Sequence, residues 1–142
     1  MASDEVKRRF LQEIKLRGYD DKYIDQAEEK EILKIALEAG SDLDAARQAM
    51  LQICEQNDFI VESAVLNKVR ELIQTFVGND GKLDEKEFND TLSLCKRATG
   101  GKKTDRECKI MVLKLVEEDG SKIKTGLMSN WYKKVRKEVG LA

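Results

Sequence analysis

Apolar residues return every third or fourth position along almost the whole chain, in runs separated by short polar breaks. Val6, Phe10 and Ile14 open the series at i, i+4 and i+8, a spacing that gathers side chains on one face of a helix. Ile32, Ile35, Ala36 and Ala39 follow, then Leu43, Ala46, Met50, Ile53 and Cys54, then Val65, Val69, Leu72, Ile73 and Phe76. The second half continues with Phe88, Thr91, Leu92, Cys95 and Ala98, with Cys108, Met111, Val112 and Leu115, and with Leu127, Met128, Trp131, Val135 and Val139. No segment alternates apolar and polar residues over strand length, so the pattern predicts seven helices and an all-α fold.

Start and stop signals bound the helices. The first is expected over about 3–17, ended by Gly18, and the second from a cap at Asp25, with Glu28 three residues on, to Gly40. The third opens at Ser41 with Asp44 three residues on; the fourth spans about 62–77 and stops at Gly78. Asp84 with Glu87 starts the fifth, which ends before Gly100-Gly101; Thr104 with Glu107 starts the sixth, which ends at Gly120. The seventh is expected from near Thr125 to Gly140. A short oxygen-bearing residue followed three positions later by an acid lets two side chains satisfy the free N–H groups of a helix's first turn.

Four connections share a pattern: Asp21-Lys22-Tyr23-Ile24-Asp25, Asn57-Asp58-Phe59-Ile60-Val61, Asp80-Gly81-Lys82-Leu83-Asp84 and Asp119-Gly120-Ser121-Lys122-Ile123. Each sets an acidic or turn-forming residue just ahead of an aliphatic one, at 24, 60, 83 and 123. The outer intervals are 36 and 40 residues and the middle one is 23, too short for two helices. The fourth helix therefore has to serve both halves, leaving the second loop and entering the third. The expectation is one helical domain over 1–142 with two hand-like halves, about 3–77 and 62–140, and short pairings of Ile24 with Ile60 and Leu83 with Ile123.

The run Asp80-Gly81-Lys82-Leu83-Asp84-Glu85-Lys86-Glu87-Phe88 resembles the second half of an EF-hand loop. Its Asp-Gly pair ahead of an acidic helix start also resembles the signature of the tellurite-resistance protein B (TerB-like) family. That resemblance implies a small cytoplasmic all-helical protein with acidic loops, of a kind some of whose members bind divalent cations. Asp80, Gly81, Asp84 and Glu87 carry the likeness, Asp21, Asp25 and Glu28 carry less of it, and Asp119 with Gly120 least.

An EF-hand loop needs oxygen ligands at its first, third and fifth positions, glycine at the sixth and a bidentate glutamate at the twelfth. With Gly81 as the sixth, Asp80, Asp84 and Glu87 fall on the fifth, ninth and twelfth, but Phe76 and Gly78 occupy the first and third. The first loop has Asp21, Asp25 and Glu28 in those places but sets Arg17 at the first and Lys22 at the sixth. The other two lose the glutamate to Ala64 and Leu127. Calcium or magnesium binding would then be weak, and the third loop, through Asp80, Asp84 and Glu87, is the one to hold a cation if any does. The same residues read as helix caps with no metal at all, and this is the preferred reading.

Composition narrows the function. Histidine and proline are absent, and 26 basic residues balance 27 acidic ones for a formal charge of −1, which argues against bulk attraction to nucleic acid. Without histidine the commonest general base is missing. Cys54, Cys95 and Cys108 are an odd set without metal-ligand spacing, read as buried apolar residues in a reducing cytoplasm. No window approaches the roughly 20 apolar residues of a membrane span. The basic aromatic stretch Asn130-Trp131-Tyr132-Lys133-Lys134-Val135-Arg136-Lys137 could meet nucleic acid, but reads first as a terminal helix docking Trp131 and Val135 on the core. The expectation is a non-enzymatic binding module without a required cofactor, engaging a protein partner. A weak cation binder and a nucleic-acid binder are the alternatives.

Overall fold

The computed structural model describes residues 4–17, 21–78, 81–118, 122–123 and 130–141. Among these residues there are seven helices: α1 (Asp4–Arg17), α2 (Gln26–Glu38), α3 (Leu43–Gln56), α4 (Glu62–Val77), α5 (Glu85–Ala98), α6 (Asp105–Glu118) and α7 (Trp131–Glu138). Four two-residue strands, β1 (Tyr23–Ile24), β2 (Ile60–Val61), β3 (Lys82–Leu83) and β4 (Lys122–Ile123), lie in the connections. The fold is all-α, as the periodicity predicts.

Two boundaries differ from the sequence expectation. The cap of α3 is Asp42, whose Oδ2 accepts from Ala45 N at 3.1 Å, in place of Ser41. Both residues are competent caps, and the turn after Gly40, in the left-handed region at φ +82°, decides which one reaches the helix start. The seventh helix begins at Trp131 after the non-helical Asn130, six residues later than expected; Thr125, Leu127 and Met128 lie outside the described residues, as do Gly18 and Gly120.

The chain divides into two compact units, 1–64 and 65–142, with the boundary inside α4. In the first, α1, α2 and α3 pack on one another around Phe10, Ile14, Ile24, Ile32 and Met50, all fully buried. Burying such a side chain is worth about 1.5–3 kcal/mol. β1 and β2 pair in parallel with Tyr23 opposite Ile60 and Ile24 opposite Val61. The expected partner of Ile24 was Ile60, one position away. Val61 is buried while Ile60 is only half-buried, and because strand side chains alternate, the pairing that buries both aliphatics wins. A parallel ladder also points both strands the same way, so α2 and the first turn of α4 leave it side by side. Glu62 Oε2 accordingly accepts from Gln26 N at 3.3 Å.

In the second unit β3 and β4 pair in parallel with Leu83 opposite Ile123, as expected, and α5 packs on α6. Trp131 is buried against Phe88, ring centroids 5.3 Å apart. The α4 helix runs unbroken through its sixteen residues and buries Val65, Val69 and Ile73.

Candidate functional site

The third loop was the candidate cation site. Asp84 Oδ1 accepts from Glu87 N at 2.7 Å, and Glu87 Oε1 accepts from Asp84 N at 3.1 Å. The two carboxylates are thus joined in a capping box at the start of α5. Gly81, at φ +71°, donates to Val77 O at 2.7 Å, a left-handed turn that glycine adopts without steric cost. Asp80 lies outside the described residues.

The first loop repeats this geometry. Asp25 Oδ1 accepts from Glu28 N at 2.8 Å, Glu28 Oε1 from Asp25 N at 3.2 Å, and Asp21 Oδ1 from Tyr23 N at 3.1 Å. Lys22 takes the left-handed turn here, at φ +54°. Burial raises the Glu28 pKa, the charges of Asp25 and Asp21 add to the rise, and the Asp25 backbone N–H opposes it. The third box, Thr104 with Glu107 (3.1 and 3.0 Å), shows the opposite shift. There the hydrogen bonds from Thr104 hold exposed Glu107 below the usual glutamate range, helped by the nearby Lys103 and Arg106. One motif thus titrates two ways according to burial and neighbouring charge. Among the described residues no group of three or more His, Cys, Asp or Glu side chains is arranged to hold a metal ion.

One polar cluster escaped the sequence reading. Glu29 is buried on α2, where Ser63 Oγ donates to its Oε1 at 3.0 Å and Arg47 Nε stands 3.8 Å away. A signal was there to find: Glu29 is three positions before Ile32 and so falls on the apolar stripe of its own helix. The nearby Cys54 thiol is pushed up to about 12, first by burial and then by the Glu29 charge. This is the reverse of what a nucleophilic cysteine needs, since the thiolate is the reactive form.

The basic aromatic stretch is largely committed to structure. Trp131 is buried, and Tyr132 Oη donates to Glu117 Oε1 at 2.8 Å. Arg136 pairs with the same Glu117 carboxylate and donates to Leu141 O at 2.7 Å. Lys133, Lys134 and Lys137 are exposed.

An open groove of about 630 Å³ lies in the second unit, lined by Leu72 and Phe76 of α4 and by Asp90, Ser93, Lys96 and Arg97 of α5. Leu72 and Phe76 were expected in the core stripe of their helix; both are half-buried, whereas Val69 and Ile73 are fully buried. The stripe is wider than the core it packs on, and its edge forms an apolar wall. The α5 wall is exposed and polar.

No family model, no curated protein and no solved structure matches the chain. Among the described residues no helix is long and apolar enough to cross a membrane.

Proposed function

We propose that this chain is a non-enzymatic helical binding module of the cytoplasm that takes a protein partner in the groove between α4 and α5. The observation that carries this reading is the groove itself: two apolar side chains one helical turn apart, Leu72 and Phe76, face an exposed wall of hydrophilic residues. Grooves of that kind receive the apolar stripe of a partner helix. Support for a non-catalytic role comes from Cys54, whose thiol is held protonated, and from a chain without histidine. Three free, buried cysteines suit a reducing compartment. On this reading the likeness to EF-hand and TerB-like loops is one of scaffold, with Asp25, Glu28, Asp84 and Glu87 kept as helix caps.

Leu72→Asp and Phe76→Asp test the proposal. The wild-type chain, immobilised and exposed to native cytosol, is expected to retain a partner that both variants lose, while their thermal melts stay close to wild type. A partner retained equally by all three proteins would rule the groove out.

A further inference from the structure

We draw no further inference here: the strongest candidate, the surface patch of Lys133, Lys134 and Lys137 on α7, is an exposed charged face on a chain whose 26 basic and 27 acidic residues nearly balance, and nothing in the structure shows what covers it.

Discussion

Lys22 and Asp58 hold left-handed backbone conformations, φ +54° and +61°, where a Cβ crowds the following carbonyl at roughly 1–2 kcal/mol. Gly81 holds the same turn in the third loop without that penalty. Lys22→Gly should therefore raise stability by roughly 0.5–1 kcal/mol in urea melts, the steric relief being partly offset by the greater freedom of unfolded glycine. A loss of stability would show that the lysine side chain contributes more than its backbone costs. Cys54 makes the second prediction at this scale. Its folded pKa of about 12 lies above the ordinary 9, so the native state keeps a proton that the unfolded chain releases. The stability this group contributes is whole below about pH 9 and declines as pH rises toward 12, by up to about 1.4 kcal/mol per pH unit. Denaturant midpoints measured across that window should fall less steeply in Cys54→Ala. Identical slopes in the two proteins would remove Cys54 from the alkaline transition.

At the level of elements, the capping boxes separate a structural from a ligand role. Asp84→Ala should cost about 1 kcal/mol by freeing an N–H of α5. Glu87→Gln should cost less than half of that, because glutamine also serves at the third position of the box. Both effects are expected to be the same with and without millimolar calcium or magnesium. A cation-dependent rise in Tm that disappears in Glu87→Gln would make the third loop a metal site. The buried Glu29 ties α2 to the first turn of α4 through Ser63. Ser63→Ala leaves a buried carboxylate without that donor and should destabilise by about 1–3 kcal/mol, read in thermal or urea melts. An effect near zero would mean that Arg47 and solvent satisfy Glu29 without the hydroxyl.

Across the whole molecule, the sole tryptophan, Trp131, belongs to the second unit and Met50 to the first. Met50→Ala opens a cavity in a fully buried site and should cost about 2–5 kcal/mol. Because α4 passes unbroken from residues of one unit into those of the other, the circular-dichroism and Trp131 fluorescence midpoints are expected to shift together. A fluorescence midpoint that stays in place while the dichroism signal moves would show the units unfolding separately.

What was legible in the sequence is what neighbours along the chain decide. Helical spacing, the Asp25–Glu28, Asp84–Glu87 and Thr104–Glu107 boxes and the ends of α4 are local, because each depends on residues within four or five positions of one another. The all-α class follows from the same periodicity. Other features depend on residues far apart in sequence. Ile24 pairs with Val61 instead of Ile60 because only the folded interior distinguishes two adjacent aliphatics. Glu29 is buried because Ser63 and Arg47 come to it from other helices. Leu72 and Phe76 left the core for a groove wall because the α4 stripe is wider than the surface it packs on. The loop carboxylates could be read from spacing as ligands or as caps; at Asp84 and Glu87 the folded backbone directs both oxygens to N–H groups of their own helix start.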